Sequence, residues 1–237
     1  LSNVHAQADG DALALTATDL DCEIQLTLAT DGDRLAPVTF PLHEALAFAK
    51  GAPADATLRL SFYAETARLM IDSGPFGSAA LATLPADDFP IGLGARGVAG
   101  AAFIAPARDV CALITAPAFA MSQEATRYYL NGVYLHPHSE RGAAPILRAC
   151  ATDGHRLCRQ DSAISVGANF PGVILPALAV NVFGGLFKAA AKSGAAVTAT
   201  LFRSFTSAGE SAITDGAAIA VFQSPGKRLA TQLVDGT

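Results

Sequence analysis

The stretch Thr126 to Leu157, TRYYLNGVYLHPHSERGAAPILRACATDGHRL, decides the reading of this 237-residue chain. It opens with Arg127-Tyr128-Tyr129-Leu130-Asn131-Gly132-Val133, which reads as a strand entered from a polar turn. It closes with Ala151-Thr152-Asp153-Gly154-His155-Arg156-Leu157, where Asp153-Gly154 has the chemistry of a tight turn presenting His155 and Arg156. Neither end carries a metal-ligand spacing, a nucleophile elbow or a phosphate-cradling loop. His136-Pro137-His138, set before the polar Ser139-Glu140-Arg141-Gly142, reads as a hairpin loop rather than a metal or acid–base pair. Asp153 and His155 stand two residues apart, so on a strand they would share a face and could act as acid and base. No nucleophile, metal set or cofactor motif accompanies them, so neither an enzyme nor a cofactor is expected.

Half the residues are apolar, aromatics are few and Trp is absent, which describes a soluble globular protein with small-residue packing. The longest uncharged run, from Ser162 to Phe187, is broken by Asn169, Pro171, Pro176 and Asn181. A membrane-spanning helix wants roughly 17–25 apolar residues, so this run is not read as one. Cys22, Cys111, Cys150 and Cys158 are scattered, which suits a reducing cytoplasm. Cys150 and Cys158 with His155 lack a fourth ligand, and strand periodicity places Cys22 and Cys150 in the core as small residues. Net charge is −5, but it is unevenly spread. Residues 1–90 hold 4 Lys/Arg against 13 Asp/Glu, a net −9; residues 91–237 hold 12 against 8, a net +4. The second part could meet phosphates while the first stays acidic.

The two parts also repeat. Leu13, Leu15 and Ala17, then Cys22, Ile24, Leu26 and Leu28, alternate as in half-buried antiparallel strands. Pro41 opens a helix whose Leu42, Ala45, Leu46 and Ala49 share a face. Strands follow around Leu58-Leu60-Phe62, Leu69-Met70-Ile71 and Ala79–Leu84, then a Gly- and Pro-rich linker from Pro85 to Gly100. Ala17-Thr18-Asp19 recurs as Ala151-Thr152-Asp153, Phe40-Pro41-Leu42 as Leu175-Pro176-Ala177, and Leu81-Ala82-Thr83 as Leu229-Ala230-Thr231. Leu1-Ser2-Asn3-Val4 lines up with Leu130-Asn131-Gly132-Val133, and the TDG triplets at 30–32, 152–154 and 214–216 read as turns. The common order of these matches implies duplication. Before Leu130 the second copy has a strand around Ala102-Phe103-Ile104 and a helix begun by Pro106, with Val110, Leu113 and Ile114 on its inner side. The first copy shows no counterpart, which leaves a sheet edge and an apolar helix face uncovered. The expected fold class is α+β, with helices packed on one side of antiparallel sheets. The expected domains are residues 1–90 and 91–237.

RYYLNG followed about twenty residues later by ATDGHRL resembles the bacterial β sliding clamp, the ring-shaped processivity factor of the replicative polymerase. The resemblance implies the DNA-clamp fold, two sheets outside and two helices inside per domain. It implies three domains per chain, closed head to tail into a ring. On that pattern residues 1–90 form a first domain without its opening strand and helix, and residues 91–237 a second domain. The chain stops where the linker to a third would begin. Family members seal their dimer through the edge at Ala79–Leu84, where Ala79 and Ala80 are small for the purpose.

The resemblance carries a function without bond chemistry: encircling double-stranded DNA independently of sequence and tethering polymerase and clamp-loader peptides. ATP would be spent by a separate loader. Leu130, Thr152, Gly154, His155, Arg156 and Leu157 match the family's peptide pocket, an apolar cleft for Leu or Phe anchors. Arg127, Tyr128 and Tyr129 match a loop that reaches DNA, with one of the tyrosines expected in the core. Lys188 and Lys192 share a small, polar helix face with Asn181 and Gly185, suited to weak attraction for phosphates. A homo-oligomeric ring in the cytoplasm is expected, with no membrane partner. The second reading is a clamp-derived protein that does not encircle DNA and instead binds clamp-interacting peptides or the genuine clamp.

Overall fold

In the computed structural model, which describes residues 2–95, 97–140, 143–167, 169–203 and 217–235, the alternation along the first segment becomes a meander. The TDG triplet at 214–216, Arg141-Gly142 and Leu1 lie outside the described residues. Strands β1 (Asn3–Asp9), β2 (Ala12–Thr18) and β3 (Cys22–Ala29) run on to β4 (Leu35–Pro41), and their order in the sheet is β4-β1-β2-β3. The turn at Gly10 has φ +63°, a conformation that costs glycine nothing. Helix α1 (Leu42–Gly51) follows with Pro41 at its cap, where the missing N–H is not needed. Strands β5 (Arg59–Tyr63), β6 (Arg68–Asp72) and β7 (Ser78–Ala82) then make a second antiparallel sheet in the order β5-β6-β7. Val4, Ala6, Val38 and Phe40 meet Leu69, Ile71 and Leu81 to form the core of this unit.

The chain divides into two compact units: Leu1–Leu20 with Ile24–Ile91, and Asp21–Glu23 with Gly92–Thr237. The second unit opens with β8 (Val98–Pro106) and α2 (Ala107–Thr115), which buries Ala107, Val110, Leu113 and Ile114. Strands β9 (Gly132–His138), β10 (Ile146–Thr152), β11 (Leu157–Ser165) and β12 (Val173–Pro176) form a sheet in the order β11-β10-β9-β12. Helix α3 (Ala177–Ser193) follows, and β13 (Ala196–Arg203), β14 (Ile219–Ser224) and β15 (Lys227–Gln232) join β8 in the order β15-β14-β13-β8. Strand for strand, β9 to β12 repeat β1 to β4, α3 repeats α1, and β13 to β15 repeat β5 to β7. Among the described residues, β8 and α2 have no counterpart in the first unit.

That difference decides how the two helices are buried. α3 turns Phe183 and Phe187 inward, their rings 4.7 Å apart, and Phe222 of β14 meets Phe183 edge-on at 5.0 Å. Gly184 allows close approach to α2, because a Cβ there would lie 3.3 Å from Thr115 Cγ2. Gly194, at φ +76°, ends the helix with its N–H on the Ala190 carbonyl. α1, by contrast, buries no residue. Leu42 and Leu46 are each 45% exposed and, with Leu15, Leu26 and Leu58, line an open apolar groove of about 450 Å³.

A buried carboxylate fastens the start of the second unit. Glu23 is 3% exposed; it accepts from the Gly92 N–H at 2.7 Å and the Leu93 N–H at 3.2 Å, and pairs with Arg228. Arg228 also donates to the Leu93 carbonyl.

Several local expectations are corrected. His136-Pro137-His138 is not a loop but the end of β9, with Pro137 opposite Leu147. Arg127 to Leu130 do not begin a strand; they sit in a 3-10 segment, Ala125–Leu130, and the strand starts at Gly132. Cys22 is buried as expected, but Cys150 is only half-buried.

Phe187→Ala is expected to lower the unfolding free energy by about 3–5 kcal/mol, the usual cost of emptying a buried aromatic site. Leu46→Ala, on the open face of α1, is expected to cost under about 1 kcal/mol. Urea denaturation of the two variants beside the parent protein measures both.

Candidate peptide pocket and basic helix face

The pocket is built on the outward face of the sheet β11-β10-β9-β12. The period of two sends Val133 and Leu135 inward to the core and turns Tyr134 and His136 outward. In register, Tyr134 stands opposite Cys150 on β10 and Ile174 on β12, and Thr152 opposite Leu157 on β11. Arg148 holds β10 to β11 through a two-pronged pair with Asp161 at 2.5 and 3.0 Å, which keeps the Asp161 carboxyl below its usual range. These strands and the preceding 3-10 segment enclose a cavity of about 350 Å³, lined by Tyr129 and Leu130, by Gly132 and Tyr134, by Cys150 to Thr152, and by Leu157 and Ile174.

One edge of the cavity depends on the turn between β10 and β11. Thr152 Oγ1 donates to the Arg156 carbonyl at 2.7 Å and accepts from the Gly154 N–H at 3.1 Å. Asp153 Oδ1 accepts from the N–H groups of His155 and Arg156, each at 3.0 Å, while Oδ2 takes the Arg156 Nε at 2.9 Å. The backbone N–H of His155, then that of Arg156, with the Arg156 guanidinium behind them, hold the Asp153 carboxyl down from 3.8 to about 2. Gly154 sits at φ +89°, where a side chain would be strained. The Arg156 guanidinium lies 5.5 Å from the centroid of the exposed Phe119 ring.

The opposite edge is the loop before β9. Ser122 N–H donates to the Leu130 carbonyl at 3.0 Å, and Asn131 Nδ2 to the Glu124 carbonyl at 3.1 Å. Arg127 pairs with Glu124 at 3.1 Å and packs its Nη1 over Gly154. Tyr128 and Tyr129 meet edge to face at 5.8 Å. Neither is in the core: they are 58% and 46% exposed, because the 3-10 segment lacks the alternation that would have turned one inward. Gly132 is required by close packing, since a Cβ there would stand 2.8 Å from Ile174 Cγ2 and 3.1 Å from the Leu175 carbonyl carbon.

Of the residues expected at a peptide site, Leu130, Thr152 and Leu157 line the cavity, with Leu157 70% exposed and open to a partner. Gly154, His155 and Arg156 are exposed on the turn outside that lining. Tyr129, expected toward DNA, lines the cavity. Tyr134, Cys150 and Ile174 were missed, although the step of two from Thr152 to Cys150 was legible as one strand face. Asp153 and His155 do not share a strand face; both belong to the turn, and the Asp153 oxygens are taken up by backbone and Arg156. On α3, Lys188 and Lys192 are exposed together with Asn181 and Gly185, and Leu178 is exposed as well. Among the described residues no group of three His, Cys, Asp or Glu could hold a metal, and no helix is long and apolar enough to cross a membrane.

Two repeated two-sheet units, the second with a helix pair and an apolar pocket beside its TDG turn, define the class: a DNA-clamp fold. The profile of the DNA polymerase III beta subunit, central domain, matches residues 106–237. The chain is 39% identical to the beta sliding clamp of Caulobacter vibrioides over 181 residues, 74% of this chain and 46% of that protein. It is 34% identical to that of Pseudomonas aeruginosa over 167 residues, 69% of this chain and 43% of that one. Among solved structures, the sliding clamp of Bartonella birtlesii bound to griselimycin superposes with a TM-score of 0.82 at 31% identity, covering all of this chain and 58% of that one. The Caulobacter crescentus pol III beta superposes at 0.83 and 31%, covering 59% of that chain. The chain belongs to the bacterial β sliding clamp family, the beta subunits of DNA polymerase III. It spans less than half the length of the relatives aligned by sequence.

The Asp153 carboxyl, depressed in the folded state, stabilises the turn fully above its ordinary pKa of 3.8 and loses that contribution as pH falls through about 2. In a carbon-detected NMR titration Asp153 is expected to titrate near 2, with the His155 and Arg156 amides still protected at pH 4. A midpoint near 3.8 would contradict the turn geometry.

Proposed function

We propose that this protein acts as a sliding-clamp processivity factor that encircles duplex DNA in a closed homo-oligomeric ring. It tethers the replicative polymerase, the clamp loader and other enzymes through short peptides, without bond chemistry of its own. The observation that carries the reading is the single cavity that gathers Leu130, Thr152 and Leu157 with Tyr129 and Ile174 beside a turn stiffened by Asp153. An apolar cleft of this size takes a branched or aromatic anchor, while the rim holds a peptide backbone. The proposed peptide contacts are Leu130, Thr152, Gly154, His155, Arg156 and Leu157.

Duplex binding is assigned to Lys188 and Lys192 on α3 and to Arg127, Tyr128 and Tyr129, all exposed. Such contacts attract phosphate without reading bases, which suits a ring that must slide. Tethering raises the local concentration of a bound enzyme, and that is the whole of the catalytic benefit.

A fluorescein-labelled peptide with a Leu–Phe pair is expected to bind this chain at micromolar concentration and to weaken about tenfold on Leu157→Asp. Unchanged affinity in that variant would sink the pocket assignment. For DNA, Lys188→Glu with Lys192→Glu is expected to flatten the log–log salt dependence of duplex binding by about 2. An unchanged slope would remove α3 from the interface.

A further inference from the structure

Tyr134 occupies an unusual place in the pocket wall. One ring face stacks on His136, with centroids 5.0 Å apart and planes at 18°. Its hydroxyl end lies against Gly172, so closely that a Cβ on residue 172 would overlap the hydroxyl and stand 2.8 Å from Cζ and 2.9 Å from Cε2. Gly172 is not at positive φ, so its backbone would accept alanine without strain. The three atoms nearest to such a Cβ all belong to the phenol. Next to the ring, the Cys150 thiol stands 3.9 Å from His136 Nε2, and burial pushes that thiol pKa up, keeping it a neutral, apolar neighbour. Thr152 Oγ1 is committed to the turn. The Tyr134 hydroxyl, in contrast, makes no hydrogen bond among the described residues, though the side chain lines the cavity and is 37% exposed.

We propose that Tyr134 determines what the pocket accepts, and that Gly172 is the positioning residue that keeps its phenol flat. Held between His136 and Gly172, the ring forms a fixed wall against which a branched or aromatic side chain of a partner peptide packs. Its uncommitted hydroxyl donates to a carbonyl of that peptide's backbone. A Cβ at 172 drives the phenol off His136 and takes the wall with it. This inference rests on the peptide-pocket reading above and specifies the chemistry of the occupant.

The experiment is a double-mutant cycle read with the labelled Leu–Phe peptide. Gly172→Ala is expected to weaken binding about tenfold, the scale of one displaced aromatic wall, with Tm and circular dichroism unchanged. Tyr134→Phe, which keeps the wall and removes the donor, is expected to weaken it about threefold, a typical loss for one hydrogen bond. In a Tyr134→Ala background Gly172→Ala is expected to do nothing, because it acts only through the ring. The His136 ring protons are expected to shift in Gly172→Ala as the stacked phenol leaves them. Full affinity in Gly172→Ala, or an equal loss in the Tyr134→Ala background, would overturn the inference and leave the peptide reading standing. Failure of the unmutated protein to bind the peptide would overturn both.

Discussion

The turn between β10 and β11 is held by one carboxylate that accepts from three donors. Asp153 takes two backbone N–H groups and a guanidinium, while Thr152 closes the same turn from the other side. Charge-assisted bonds of this kind are short and directional, so the turn is ordered before anything binds. That order propagates. Arg156, fixed by Asp153, lies over Phe119; Gly154, fixed at positive φ, gives Arg127 a flat surface to pack on. The loop carrying Tyr129 and Leu130 is therefore braced against the turn that leads into Leu157. A pocket whose two edges brace each other loses little entropy on closing around a ligand.

Two glycines set the remaining clearances by what they lack. Gly132 lets β9 start hard against β12, whose Ile174 lines the same cavity as Leu130. Gly172 leaves room for a tyrosine hydroxyl. Neither is at positive φ, so their value is space rather than backbone freedom. The core beneath is ordinary by comparison: Val133, Leu135, Leu147 and Ala149 alternate inward and supply a rigid base on which those clearances can be kept.

Much of this was legible in the chain because it follows from period and punctuation. Pro41, Pro106 and Pro176 each precede a helix, and the shared order of Ala-Thr-Asp, the proline-capped helix and Leu-Ala-Thr marks out two units of the same plan. The DNA-clamp fold itself was carried by RYYLNG and ATDGHRL, which together are too specific to be turn chemistry alone. Three things escaped. The 3-10 segment before β9 has no two-residue alternation, so strand logic wrongly buried one of its tyrosines. His-Pro-His looks like a loop in sequence, yet Pro137 sits in β9 because the pairing across from Leu147 tolerates it there. The Tyr134–Gly172 clearance depends on residues 38 apart meeting at atomic distance, which no local pattern encodes.

The basic strip on α3 answers to a different physics from the pocket. Its direction is set by burial: Phe183 and Phe187 must face the core, so positions 181, 185, 188 and 192 are left facing water. Among the described residues neither Lys188 nor Lys192 is held in an ion pair, so both ammonium groups remain available to phosphate. At physiological salt each reaches only about 8 Å before screening takes over. Two exposed cations of this kind can supply only an attraction that is weak, short-ranged and blind to sequence. On the proposed function such weakness would suit sliding, whereas a peptide pocket would need the fixed geometry of the β9–β12 face. The close clearances around Tyr134 and the exposed charges on α3 are both set by which side chains the second unit's core takes in.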